Sequence, residues 1–301
     1  MKVLLAGGSG FLGRHLTQSL LADKHRVWVL SRRPRQTLPG VHLVPWDGRT
    51  PGDWRRLMDE MDAVVNLSGL SLNNWPWTKA KKQRFLDSRV APGLALASAI
   101  SSANRRPDVF VQISGINHYG LHGAPADENT PPADDYLAQL TVAWEDATRP
   151  VEDLGVRRVI CRTAVVLARD ASLMQLMALP VRLFTGGPLG HGGQALPWIH
   201  IADQIGAIRF LMENRDTSGP YNLIAPQPTS NAEFMRTLAQ TLHRPYWLPI
   251  PAFLMRLALG EMSNLVLEGR FAYPKRLLEA GYTFHFPTLQ AALQEIFQSE
   301  T

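Results

Sequence analysis

Seven residues near the start of the chain, Gly7-Gly8-Ser9-Gly10-Phe11-Leu12-Gly13, set glycines at the spacing G-x-x-G-x-x-G. A run of this kind can hold a diphosphate. Gly7 permits a tight turn, Gly10 lets backbone approach a pyrophosphate with no Cβ in the way, and Gly13 lets a helix pack closely on a strand. The diphosphate then rests on the free N–H groups and the positive dipole end of the helix, which makes Ser9, Phe11 and Leu12 candidate contacts with the glycines. Glycines alone are weak evidence, and here the context adds weight. Residues 2–6 read as a short buried strand, and Phe11, Leu12, Leu16, Leu20 and Leu21 recur at helical spacing. A second strand, 27–30, ends in Leu30-Ser31-Arg32-Arg33, where an NAD site usually carries a carboxylate for the ribose 2′-hydroxyl. Arg32 and Arg33 suit a 2′-phosphate instead, through charge-assisted hydrogen bonds. NADP is therefore expected ahead of NAD; the alternative is a solvated basic loop.

The elements that must position this site follow from the same periodicities. Strand signals at 41–44, 63–67, 109–113 and 158–161 alternate with helical patterns, notably 94–100 and 137–151. Parallel strands need crossovers, so this alternation predicts an α/β fold, a doubly wound parallel Rossmann sheet. After residue 167 the chain turns to glycine- and proline-rich connections and then to helices, predicting a smaller, α-rich C-terminal substrate lobe. Two late apolar helices, 253–259 and 289–297, flank Pro274-Lys275-Arg276-Leu277-Leu278, whose proline marks a helix start.

Composition excludes several classes. The 301 residues are 45% hydrophobic and 19% charged, which suits a packed globular protein rather than a disordered chain. The net charge of +5 raises nucleic acid as a partner. Its basic residues are mostly dispersed, however, and the group Lys79, Lys81, Lys82 and Arg84 has the spacing of a solvated helix face. No nucleic-acid partner is expected. Cys161 is the single cysteine, within an apolar run, so no intrachain disulfide or cysteine zinc site can form. No metal site is evident among the histidines, and no G-x-S-x-G lies between a strand and a helix. No stretch is apolar for the ~20 residues a bilayer requires, and Met1-Lys2 leads straight into the first strand. A cytoplasmic protein with no membrane segment is expected.

Taken together, the glycine run, Asp47, Asn66-Leu67-Ser68-Gly69 and Trp198-Ile199-His200-Ile201-Ala202-Asp203 resemble the extended short-chain dehydrogenase/reductases. Leu189-Gly190-His191-Gly192-Gly193-Gln194 and Pro274-Lys275-Arg276-Leu277 are similar to a narrower group, the YfcH-like epimerase-family proteins with a C-terminal domain of unknown function. That resemblance covers nearly the whole chain. It implies a Rossmann domain over 1–168, rejoined by about 198–225, and a lobe over 169–301 containing the C-terminal domain at about 245–295. It also implies further cofactor contacts: Asp47 near the adenine, Leu67, Ser68 and Gly69 along the ribose and pyrophosphate, Arg89 beside them, Ser114, and Arg162, Thr163, Ala164 and Val165 bordering the nicotinamide. Each has a plainer alternative; Asp47-Gly48, for example, also makes a good turn.

The wider family transfers protons through a serine, a tyrosine and a lysine four residues after the tyrosine. Here Tyr136 is followed at that spacing by Leu140, and Gly115 takes the usual serine place, with Ser114 one residue early. A free tyrosine has a pKa of about 10, so without a neighbouring cation little drives it toward phenolate. Three readings stay open. The site catalyses redox chemistry through another group, with Tyr136, Ser114, Tyr119, His118 or His200 as candidates; it binds cofactor without turnover, as a sensor; or the dinucleotide only stabilises a structural subunit. His200 also suits a capping role, and Trp75 and Trp77 are candidates to line a pocket. The resemblance favours an epimerase, dehydratase or carbonyl reductase acting on a small molecule such as a nucleotide sugar, in a chain that can form a homodimer.

Overall fold

A computed structural model describes residues 1–32 and 39–298. Its centre is a seven-stranded, all-parallel sheet. The strands are β1 (Lys2–Ala6), β2 (Arg26–Ser31), β3 (Val41–Pro45), β4 (Ala63–Asn66), β5 (Val109–Gly115) and β6 (Arg157–Thr163), together with β9 (Gly219–Leu223), in the order β3-β2-β1-β4-β5-β6-β9. In between, β7 (Val165–Leu167) and β8 (Trp198–His200) form a separate parallel pair. The helices are α1 (Phe11–Ala22), α2 (Lys79–Ser101), α3 (Tyr136–Asp146), α4 (Pro150–Asp153), α5 (Ser172–Arg182), α6 (Ile201–Glu213), α7 (Asn231–Thr241), α8 (Ala252–Leu259), α9 (Asn264–Leu267), α10 (Lys275–Glu279) and α11 (Leu289–Phe297). The fold is α/β and Rossmann-like, as the alternation predicts.

Period-two alternation explains why the sheet is covered on both sides. Val3, Leu5, Val27, Val29, Val65 and Val111 point toward Leu16 and Leu20 of α1 and Ile205 and Ile208 of α6. The intervening Leu4, Ala6, Trp28, Leu30, Val64 and Phe110 meet Leu96 and Ile100 of α2 on the opposite face. A further core joins Met174 and Met177 of α5, Phe234 and Leu238 of α7, and Leu293 and Ile296 of α11 around Trp198.

Three details differ from the sequence reading. The helical pattern at 137–151 is two helices, α3 and α4, with Pro150 at the first position of α4, where its missing N–H costs nothing. The strands β7 and β8 have only three residues each, too short for a periodicity. β9 carries Gly219, Pro220 and Asn222, which hide it in sequence; it is an edge strand, the place where a sheet tolerates proline.

Candidate functional site

All seven sheet strands run the same way, so the loops after β1, β2, β4, β5 and β6 gather at one carboxyl edge. At its centre, the loop after β1 turns through Gly7, whose φ of +80° favours glycine. A Cβ there would stand 2.8 Å from the carbonyl of Leu67, so the turn and the loop after β4 lie backbone against backbone. A Cβ on Gly13 would overlap the Gly7 carbonyl oxygen and Gly8 Cα. Gly10 is the extended residue before α1, and no side chain caps that helix. Ser9 and Gly10 are exposed at the edge, with Phe11 and Leu12 half-buried behind them. An uncapped helix start behind a side-chain-free turn suits a diphosphate.

The loop after β4 is held from below. Asn66 Oδ1 accepts from the Ser68 amide at 3.1 Å, and Asn66 Nδ2 donates to Gln112 Oε1 at 3.0 Å. Arg89 of α2 is buried beside Gly69, donates to the Leu70 carbonyl at 3.1 Å and stacks 4.7 Å from the Trp144 ring. Burial brings its pKa down to about 10, so it remains a cation. At the end of β2, Arg32 is exposed, and its aliphatic stem lies over Gly48. Arg33 lies outside the described residues. Asp47 accepts from the amides of Arg49 and Thr50 and from the Thr50 hydroxyl, bonds that hold its carboxyl below the usual range. It makes the turn.

Four of the remaining candidates, Ser114, His118, Tyr119 and Arg162, meet at the ends of β5 and β6 in one buried network. Glu145 of α3 accepts from Ser114 Oγ at 2.7 Å and from Arg162 Nε and Nη2 at 3.0 and 2.9 Å. Arg162 Nη1 donates to Tyr119 Oη at 3.0 Å, and Tyr119 donates to Asn222 Oδ1 at 2.7 Å. Asn222 is itself fixed, its amide donating to Glu128 and its side chain to the Tyr273 carbonyl. Burial raises the pKa of Tyr119 while the Arg162 charge opposes it. His118 packs edge-on against Tyr119, with Nδ1 buried and unpaired, 3.9 Å from Glu145 Oε1, and burial pulls its pKa down to about 4. Sequence reasoning missed Glu145 and Asn222. A carboxylate inside the apolar pattern of α3 was the available signal, since buried charges need partners.

Tyr136 is not in this network. It opens α3, donates weakly to the Lys82 carbonyl at 3.3 Å, packs against Trp77, and carries Lys82 Nζ 4.5 Å above its ring. The absence of a neighbouring cation is thus corrected: Lys82 and Arg89 both stand near, supplied by α2 rather than by the helix of Tyr136. Burial still outweighs the Arg89 charge and raises the pKa of Tyr136. His200 lies elsewhere. It caps α6 by accepting from the Ala202 amide at 3.2 Å and pairs with Glu295 at 2.9 Å. Trp75 is exposed, and Trp77 donates to the Leu72 carbonyl.

Beside the network is a cavity of about 510 Å³. Tyr119, Asn117, Thr163, Ala164 and Val165 line its sheet side, Leu72 and Asn73 one flank, and side chains from α5, α8 and α9, Met235 of α7 and the loops at 189, 195–197 and 268–272 the rest. Trp75 and Trp77 do not line it; their loop contributes Leu72 and Asn73 instead. The glycine turn and this cavity are neighbours along one edge, the usual arrangement of a ligand crevice in a doubly wound sheet.

Comparison with known proteins fits this geometry. The model of the NAD dependent epimerase/dehydratase family matches residues 3–224, and a domain of unknown function, DUF1731, matches residues 250–296. Epimerase family protein YfhF of Bacillus subtilis is 35% identical over 301 residues, covering 98% of each chain. The crystal structure of human epimerase family protein SDR39U1 (isoform 2) with NADPH superposes with a TM-score of 0.87 at 35% identity, over 99% of both chains. A UDP-glucuronic acid 4-epimerase from Bacillus cereus, solved with UDP-glucuronic acid and NAD, superposes at 0.77 over 100% of this chain and 99% of its own. At 18% identity it shares the fold alone.

Proposed function

The chain belongs to the NAD dependent epimerase/dehydratase family, in the branch that carries DUF1731, and from that premise we propose that it is an NADP(H)-dependent oxidoreductase acting on the carbonyl or alcohol group of a small molecule. The observation that carries this reading is the side-chain-free turn at the uncapped start of α1, set beside a cavity whose sheet wall holds a tyrosine paired with an arginine.

Gly7, Ser9, Gly10 and the amides of Phe11, Leu12 and Gly13 would hold the diphosphate, Arg32 the 2′-phosphate, and Leu67 to Gly69 the ribose side. NADPH was bound in the human relative's crystal structure. When bound, the nicotinamide supplies or accepts a hydride, so the protein must handle the accompanying proton. In this reading Tyr119 does so. Its raised pKa keeps the phenol protonated at neutral pH, and its proton points at Asn222 Oδ1. Turned into the cavity, that proton can pass to a substrate oxygen, and the phenolate left behind faces Arg162 Nη1 at 3.0 Å. Glu145 holds the guanidinium in place through two bonds and offsets part of its charge. The pair Tyr119–Arg162 would thus do the work that a tyrosine and a lysine one helical turn apart do in the wider family.

One observation favours the sensor reading: Tyr119 Oη already has two partners within the protein, Arg162 and Asn222, so its proton is engaged away from a substrate. Two measurements separate these readings. NADP and NAD are titrated against the protein and Arg32→Ala, and NADPH oxidation is followed over a panel of carbonyl compounds for the protein and Tyr119→Phe. The expected result is tighter NADP binding that Arg32→Ala weakens at least tenfold. Turnover should fall at least a hundredfold in Tyr119→Phe with NADP affinity intact. Tight NADP binding with no turnover on any carbonyl would select the sensor.

A further inference from the structure

A substrate of this family with a nucleotide-sugar body needs a wet, charged cleft, and the cavity beside Tyr119 is lined otherwise. Its wall is mostly leucine, methionine, isoleucine and valine from α5, α7, α8, α9 and the loops beside them, among them Met177 of α5, Met235 of α7, Met255 of α8 and Leu265 of α9. Among the described residues, two charged side chains line it, Glu268 and Arg270, and both have partners. Glu268 is paired with His122 at 2.8 Å and would repel a diphosphate. Arg270 donates from Nε to the Ala124 carbonyl and from Nη1 to the Tyr119 carbonyl, each at 2.6 Å. A nucleotide diphosphate placed here would lose its hydration and meet a single cation, Arg270, two of whose N–H groups are already taken, beside the Glu268 carboxylate, a large cost.

The rim has the same character. Leu176 and Leu179 of α5 line the cavity and are still 58% and 51% exposed, and Phe253 and Leu257 of the adjacent α8 are 66% and 82% exposed. The polar groups of the lining, Tyr119, Asn117, Thr163 and Asn73, sit on the sheet side or the loop after β4, next to the turn proposed to hold the cofactor. Apart from Glu268 just after α9 and Arg270, one end of the cavity is therefore polar and the remainder apolar.

We propose that the substrate is a hydrophobic carbonyl compound or alcohol, with a single oxygen function at the Tyr119 end and a hydrocarbon body along α5 and α8, and not a nucleotide sugar. This rests on the NADP(H) oxidoreductase reading and names its substrate class. Burying hydrocarbon stabilises a complex in proportion to its area, whereas the site offers little to reward hydroxyls or phosphates.

The test uses the full chain saturated with NADP, so that ketones bind without reacting. Affinities of the 2-alkanones from 2-hexanone to 2-dodecanone, and of UDP-glucose, are measured by titration calorimetry. Each added methylene should tighten binding about threefold to fourfold until the cavity is full, the ratio that about 0.8 kcal/mol per buried CH₂ corresponds to. Met255→Glu, on a half-exposed face of α8, should weaken 2-decanone at least tenfold while NADP affinity stays the same. An affinity series that is flat with chain length, or UDP-glucose binding more tightly than 2-dodecanone, overturns the inference and leaves the oxidoreductase reading standing. Failure to bind NADP at all overturns that reading instead.

Discussion

Single residues in the network after β5 and β6 set how the protein responds to pH. His118 is buried with Nδ1 unpaired, and its pKa falls to about 4 because desolvation outweighs the attraction of Glu145. The unfolded chain, with an ordinary histidine near 6.5, then binds more protons than the folded one between those two values. Stability contributed by the neutral imidazole is therefore complete above about pH 6.5 and is lost as pH falls toward 4, by an amount on the order of 3 kcal/mol. Urea midpoints from pH 7 to pH 4.5 should drop more steeply for the protein than for His118→Gln; parallel slopes would exclude His118 as the cause. Glu145 and Arg162 act at the same scale. The bidentate pair leaves neither charge alone in the interior, so its worth lies in avoiding an orphan rather than in net attraction.

At the scale of elements, the decisive contact is between the glycine turn and α1. Gly13 has no room for a methyl group, since a Cβ would overlap the carbonyl of Gly7. Gly13→Ala should push α1 away from β1, at a cost of roughly 1–3 kcal/mol of stability, and lower NADP affinity at least tenfold. Ser9→Ala, at an exposed position of the same turn, should leave stability within experimental error; equal losses in both variants of this turn would show that packing is not the reason. The same scale explains what the sequence could not show about Tyr136. Its neighbouring cation comes from α2, Lys82 over the ring, and no spacing within α3 reveals a partner that packing of a second helix provides.

Across the whole molecule, sheet and C-terminal helices build the crevice jointly: the sheet edge supplies the polar end of the cavity, and α5, α8 and α9 supply its apolar wall. A ligand bound in such a crevice stabilises the native state by mass action. NADP at a hundred times its dissociation constant should add about 2.7 kcal/mol and raise the melting temperature by several degrees. Differential scanning fluorimetry reads this directly, and an unchanged melting temperature with saturating NADP would contradict binding to the folded state. Among the described residues, no helix is long and apolar enough to cross a membrane.

The Rossmann sheet was legible in the sequence because it is written in local patterns: apolar runs buried on both faces, a glycine turn between the first strand and helix, and short spacings between strands. The glycine turn was legible for the same reason, since its geometry belongs to the backbone between β1 and α1; Arg32, at the end of β2, is the proposed 2′-phosphate contact. What tertiary structure alone decided is long-range. Glu145, Arg162, Tyr119 and Asn222 stand up to 103 positions apart along the chain and become one hydrogen-bonded unit only when β5, β6, β9 and α3 pack together. The apolar character of the cavity was hidden likewise, because Leu176 and Leu179 of α5 and Met255 and Leu259 of α8 have ordinary helical spacing and only the fold turns them toward a common space.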